Sequence, residues 1–245
     1  MDIFNDLTAE QDRLEGILAG LAADAWVSPS GAAGWTVADV VLHLAQTEEA
    51  VTASTAGGGG LRALATPAGL TTDQLAEQMV AAERDAPGPV FERWQRARRA
   101  ALTALRAADP GQPLAWVAAP LKPATLATTR LAEHWAHGLD ITGPLGIGFP
   151  DTERLRHVAW LAHRSLPYAM SLSGGQPQEV FCDLTGPAGT ARWQLGPPGA
   201  SSVIAGPAGA FCRVAAQRLA PDASGLSATG PHGPQALRVL RTYAA

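Results

Sequence analysis

Glu133-His134-Trp135-Ala136-His137 is the stretch on which the reading of this 245-residue chain turns. Glu133 and His137 stand at i and i+4, so on a helix their side chains lie one turn apart on one face, where both can reach a single metal ion. His43 stands about ninety residues earlier, in Trp35-Thr36-Val37-Ala38-Asp39-Val40-Val41-Leu42-His43-Leu44, a second helical pattern. It becomes a third ligand if the two helices pack side by side. Two imidazoles and one carboxylate leave a coordination position open, which is the ligand set of a catalytic metal site and not of a closed structural one. Taken alone, His43 is more readily a core or surface histidine, and a lone Glu-x-x-x-His is more readily a solvated helix face.

The surrounding helix argues against the solvated face. It runs from about residue 126 to a break at Gly143-Pro144, with Arg130, Glu133 and His137 on one side and Asp140 and His134 close to it. Leu131, Trp135 and Leu139 indicate packing on several sides, and a polar face buried without water or metal is costly. Asp140 lies one turn beyond His137, placed either to accept a hydrogen bond from an imidazole or to serve as a helix-end residue. His134 projects about 100° from Glu133. It is either an acid/base group or a structural one, and with Asp140 it completes the list of candidate catalytic residues.

The rest of the chain reads as helices followed by a change of grammar. Residues 4–21 carry Phe4, Leu7, Leu14, Ile17, Leu18 and Leu21 at helical spacing. Thr36 and Asp39 form a capping-box variant at the start of the His43 helix, with Trp35 placed to pack on Val40 as a hydrophobic staple. That helix dissolves into Gly57-Gly58-Gly59-Gly60, which reads as a mobile loop at the mouth of a site and not as a phosphate loop, since no Gly-Lys-Ser/Thr follows. Residues 72–84 form another helix. After Pro87-Gly88-Pro89 comes one with Val90, Phe91, Trp94, Ala97, Ala101, Leu102 and Leu105 inward, its Arg93, Arg96, Arg98 and Arg99 reading as a solvated face. Asp109-Pro110-Gly111 ends it, and residues 113–123 are an irregular connection. Asp151 opens a fifth long helix with Leu155, Val158, Ala159, Ala162 and Leu166 on one stripe.

Beyond residue 178 the runs shorten. Residues 180–184 and 191–195 are strand-like and joined across Gly186-Pro187-Ala188-Gly189, which predicts a hairpin. A strand at 202–205, a helix at 208–219, a strand at 226–229 and a closing helix at 234–243 follow. The expected class is α+β: a helical bundle over residues 1–170 holding the metal site, a linker at 171–178, and a small α/β domain at 179–245.

Composition narrows the partners. At 47% apolar residues the chain can bury a real core, and a net charge of −4 with pI near 5.8 offers no general attraction to nucleic acid or an anionic membrane. The N-terminus has no basic region followed by an apolar run, and no stretch of about 18 apolar residues runs free of charge. The expectation is a soluble cytoplasmic protein with a small-molecule substrate. Cys182 and Cys212 are too few for a disulfide framework and read as reduced, buried thiols. Lys122 is the one lysine among 18 basic residues, the bias of GC-rich coding.

Three segments together resemble a known family. They are Trp35-Thr36-x-x-Asp39-x-x-x-His43-Leu44, Glu133-x-x-x-His137-x-x-Asp140, and Gly206-Pro207-Ala208-Gly209-x-Phe211-Cys212-Arg213-Val214 running to Gln217-Arg218. The sequence is similar to the mycothiol-dependent maleylpyruvate isomerase family, within the DinB-like superfamily of metal-binding four-helix bundles. The nearest branch is an actinobacterial group that has carried a wyosine-base-formation label. The resemblance implies that His43, Glu133 and His137 bind a divalent metal, usually zinc, and that the C-terminal domain is sterol-carrier-like. It implies mycothiol as cosubstrate, and isomerisation or S-transfer on a small electrophilic substrate as the reaction, by a monomer or homodimer. The wyosine label would imply tRNA, which the charge balance does not support. Two other readings stay open: a binding protein for metal or an apolar ligand, and a natural-product biosynthetic enzyme with changed chemistry on the same scaffold.

Overall fold

Thr36 starts the helix that carries His43. In the computed structural model, which describes residues 2–59, 70–117, 119–189 and 191–242, the Thr36 hydroxyl accepts from the Asp39 backbone N–H. The Asp39 carboxylate accepts in return from the Thr36 N–H at 2.9 Å. This closed capping box satisfies two of the donors that every helix leaves unpaired at its start. Burial opposes the charge of Asp39, but the Thr36 N–H, the Arg84 guanidinium and the Thr36 hydroxyl outweigh it and hold the carboxyl below its ordinary range.

The helical part comprises α1 (Ile3–Ala19), α2 (Ala23–Val27), α3 (Val37–Thr55), α4 (Thr72–Glu83), α5 (Pro87–Ala107) and α6 (Pro123–Thr142). Asp2 caps α1 through the N–H groups of Phe4 and Asn5. Both α5 and α6 begin on a proline, which lacks only an N–H that would be unpaired there and has φ already set for the helix. They therefore start earlier than their apolar stripes suggest, and Pro87-Gly88-Pro89 is the first turn of α5. The short α2 carries no sequence period long enough to announce it. Helices α1, α3, α5 and α6 pack as a bundle in which α3 lies against α5 and α6, and α1 against α6 and α5. The core includes Leu14, Leu18, Val37, Val40, Val41, Leu44, Val90, Trp94 and Ile141, with Trp35 packed at its edge.

Two expectations for this part change. Gly57 takes φ +82° and the Gly58 N–H closes on the Ala53 carbonyl at 2.9 Å, so the first glycines form a left-handed helix stop that suits a residue without Cβ. Gly60 lies outside the described residues. Arg98 is not solvated: it is buried and pairs with Asp12 at 2.8 Å and with Glu15, tying α5 to α1.

The chain divides into two compact units, the first extending to Phe149 and the second starting at Pro150. The second unit holds α7 (Leu155–Leu172), β1 (Val180–Thr185), β2 (Arg192–Leu195), β3 (Ser202–Pro207), α8 (Ala208–Ala215), β4 (Ser227–Thr229) and α9 (Gly233–Val239). Its four-stranded sheet has the order β2-β1-β3-β4. The β1–β2 hairpin is antiparallel with Cys182 opposite Leu195, β1–β3 is parallel, and β3–β4 is antiparallel. A helical bundle in one unit and a mixed sheet in the other make the protein α+β.

Helix α7 belongs to this unit and not to the bundle. Its Leu155, Val158, Ala159, Ala162, Leu166, Ala169 and Met170 are all buried, α7 packs on α8 and α9, and the Cys212 thiol lies 3.6 Å from the Leu155 carbonyl. Asp151 does not open the helix. Its two oxygens each lie 2.8 Å from the Arg213 guanidinium, and α7 starts four residues later. Cys182 and Cys212 are free and buried, and burial pushes the Cys182 thiol up to about 12 and the Cys212 thiol up as well. Tyr243, expected to end the closing helix, lies outside the described residues.

Candidate metal centre

The capping box fixes where α3 starts, and therefore where His43 points two turns later. Glu133 and His137 share one face of α6, and the packing of α3 on α6 brings all three together. The Glu133 Oε2 lies 3.7 Å from His43 Nε2 and 3.5 Å from His137 Nε2. The three donor atoms lie within 4.8 Å of one another. Nitrogen and oxygen ligands held at 2.0–2.1 Å around a tetrahedral zinc stand about 3.3 Å apart. Both Glu133 distances lie within about 0.4 Å of that spacing, and three protein ligands would leave one position of a tetrahedral ion open.

Asp140 completes the arrangement. Its carboxylate accepts from His137 Nδ1 at 2.9 Å, which leaves Nε2 facing Glu133, a donor to that carboxylate while the ring is protonated and a lone pair for a metal when it is neutral. Asp140 is itself held from outside the helix, since the Gly31 N–H donates to its backbone carbonyl at 2.7 Å. A Cβ on Gly31 would come within 3.1 Å of the Asp140 Cα, so a larger residue there would have to push the loop and α6 apart by a few tenths of an ångström. The Trp35 ring forms one wall, with its centroid 5.2 Å from that of His43 and 6.5 Å from that of His137.

The electrostatics follow from that packing. Burial lowers the pKa of His43, with the Glu133 carboxylate opposing. Burial also disfavours charge on Glu133, but hydrogen bonds from His137 and His43, with the charges of His137 and Arg130, outweigh it and hold the carboxyl well below its ordinary range. On His137 burial is again outweighed, here by Asp140 and Glu133, and its pKa is raised. A half-buried carboxylate facing two imidazoles is an arrangement that could hold a cation.

His134 is not brought to the triad. It is fully buried, on the side of α6 that faces α1 and α5. Trp94 Nε1 can only donate, and it lies 3.2 Å from His134 Nε2, so the imidazole proton is on Nδ1 and is given to the Arg130 carbonyl at 2.8 Å. Burial, with the charge of Arg130, lowers the His134 pKa to about 3. Its polar atoms are engaged in holding helices together.

Thr47 and Glu48, which the sequence did not single out, stand next to the site as partners of Arg130. Arg130 Nε donates to Glu48 Oε1 at 2.9 Å, and its terminal nitrogen donates to the Thr47 hydroxyl at 2.6 Å, all three groups being buried. Burial raises the Glu48 pKa, against the charge of Arg130. Only the polar run Gln46-Thr47-Glu48-Glu49, one turn after His43, hints at this in the sequence.

Residues 7–142 match the family described as the mycothiol maleylpyruvate isomerase N-terminal domain, which is more than half of the chain and includes all three candidate ligands. The chain belongs to this family. An uncharacterised protein of Mycobacterium tuberculosis, present in strains CDC 1551 and H37Rv, is 35% identical over 246 residues, covering 98% of this chain and 94% of its own. Among solved structures, that of the mycothiol-dependent maleylpyruvate isomerase superposes with TM-score 0.63 at 15% identity over 93% of this chain and 91% of that one. A histidine-to-alanine variant of the same isomerase gives TM-score 0.62 at 14% identity. At such identity these likenesses concern the fold, which they extend through the sheet unit as well as the bundle.

Proposed function

We propose that this protein is a metal-dependent, thiol-using isomerase or S-transferase that acts on a small electrophilic substrate. The observation that carries the reading is the convergence of His43, Glu133 and His137 in a chain of this family. These three side chains would hold the ion, with zinc the metal that best suits two imidazoles and a carboxylate. Bound there, a divalent ion would favour thiolate over thiol at neutral pH. Asp140 would fix the ring of His137, the Trp35 ring would keep water from one side of the imidazoles, and His134 would hold the bundle without touching substrate.

Mycothiol is the proposed cosubstrate, supported by the family and by the mycothiol-dependent maleylpyruvate isomerase that shares the fold. A thiolate that adds to an electron-poor cis-alkene turns the double bond into a single bond, which rotates; expulsion of the same sulfur regenerates the thiol and leaves the trans isomer. If sulfur stays, the product is a thioether and the reaction is S-transfer. The test is turnover of maleylpyruvate by the zinc-loaded protein, followed by absorbance with and without mycothiol. The reading predicts turnover that requires the thiol and disappears in Glu133→Gln. Thiol-independent turnover, or turnover unchanged in Glu133→Gln, would contradict it.

A further inference from the structure

The buried pair Arg130–Glu48 raises a question that stability does not answer. Taking two charges out of water offsets most of what their attraction returns, and well-packed apolar residues in their place often do as well or better. Here the pair is not even fully satisfied, because Glu48 Oε2 is buried with no hydrogen-bond partner among the described residues. What the pair does supply is direction. A guanidinium is a rigid planar fork, and Arg130 uses it on two adjacent positions of α3 at once, Glu48 and Thr47.

The location of that fork is the second observation. On α3, Thr47 and Glu48 lie one turn after His43; on α6, Arg130 lies one turn before Glu133. The same two helices therefore meet twice in succession, first through His43 with Glu133, then through Thr47 and Glu48 with Arg130. Apolar contacts between the helices resist separation but are not directional, whereas a metal site needs its ligands placed to within about 0.2 Å. Arg130 is also fixed from behind, since its carbonyl accepts from His134, whose other nitrogen accepts from Trp94 of α5 and lies 3.5 Å from Gln11 of α1.

We infer that Arg130, gripped by Glu48 and Thr47, is a positioning residue for the metal triad: the clamp sets the register of α3 against α6, and so the distance from His43 to Glu133 and His137. The inference rests on the metal reading above and names residues outside the ligand set on which metal affinity depends. Arg130 is buried and stands outside the triad itself.

The test compares wild type, Arg130→Lys and the double variant Glu48→Met/Arg130→Met. The double variant removes both charges together, because Arg130→Met alone would leave a buried carboxylate unpaired and could unfold the bundle. Zinc affinity is measured on metal-free protein by competition with a chromogenic chelator, beside the melting temperature of the metal-free protein. A clamp that positions ligands predicts a zinc Kd about 10–100-fold weaker in the double variant, while the metal-free protein melts near wild type. Arg130→Lys keeps the charge but loses the fork, so it should fall between the two, and it decides the matter if the double variant does not fold. Zinc affinity equal to wild type in a folded variant would overturn the inference and reduce the pair to packing. Wild-type protein that takes up no zinc would overturn the metal reading and this inference with it.

Discussion

Asp140 decides which nitrogen of His137 is left for a metal. With Nδ1–H given to the Asp140 carboxylate at 2.9 Å, the ring has one orientation and its Nε2 faces Glu133. Asp140→Ala should therefore leave the fold intact and weaken zinc binding by about 10–100-fold, measured by chelator competition; unchanged affinity would show that the ring is held by packing alone. The grouping of His43, Glu133 and His137 was legible in the sequence because helical period fixes the Glu133–His137 face and because the capping box fixes the phase of His43. The Trp35 ring against both imidazoles was not legible, since a residue before a helix cap reads locally as a staple on Val40. Glu48 was hidden for a different reason: its partner Arg130 stands 82 residues away, and only the register of two packed helices pairs them.

At the scale of the element, caps and close contacts carry the account. Thr36→Ala removes the acceptor for the Asp39 N–H and should cost about 1 kcal/mol, read by denaturant unfolding. Asp39 adds a pH dependence. Its folded pKa is depressed, so in the window just below the unfolded value of about 3.9 the unfolded chain binds the proton first. The contribution of Asp39 is fully present above that value and is lost as pH falls through the folded pKa. Asp39→Asn should flatten this part of the acid limb, and an identical limb in the variant would contradict the assignment. On α6, a Cβ at Gly138 would stand 2.6 Å from the Phe149 ring, so Gly138→Ala should destabilise by about 1–3 kcal/mol through overpacking. Apart from the short α2, helix existence was legible from apolar period, helped by caps at α3 and α4. The starts of α5 and α6 are not legible in the apolar stripe, because a proline can be the first residue inside a helix as well as the boundary before it.

For the whole molecule, the sequence shows a helical part and a part with strands, and the structure moves the line between them. The Ser171-to-Gln178 region, rich in Gly and Pro, looks like the natural linker, yet the compact unit starts at Pro150 and takes α7 with it. An amphipathic helix advertises that it needs a partner but not which one, so α7 could be read onto the bundle until its contacts with α8 and α9 were seen. Expressed alone, residues 150–245 should unfold cooperatively, whereas residues 179–245, stripped of the helix that buries their apolar face, should not; circular dichroism with urea distinguishes the two. Among the described residues no helix is long and apolar enough to cross a membrane.

The claim that joins these scales is that α3 and α6 meet so that His43, Glu133 and His137 hold one divalent ion. Its most direct test is elemental mass spectrometry on protein purified without added metal or an affinity tag, alongside folded His43→Ala and His137→Ala. The account predicts near-stoichiometric zinc or another divalent ion in the wild type and its loss in both variants. No metal in the wild type, and no tight uptake when zinc is supplied, would contradict it.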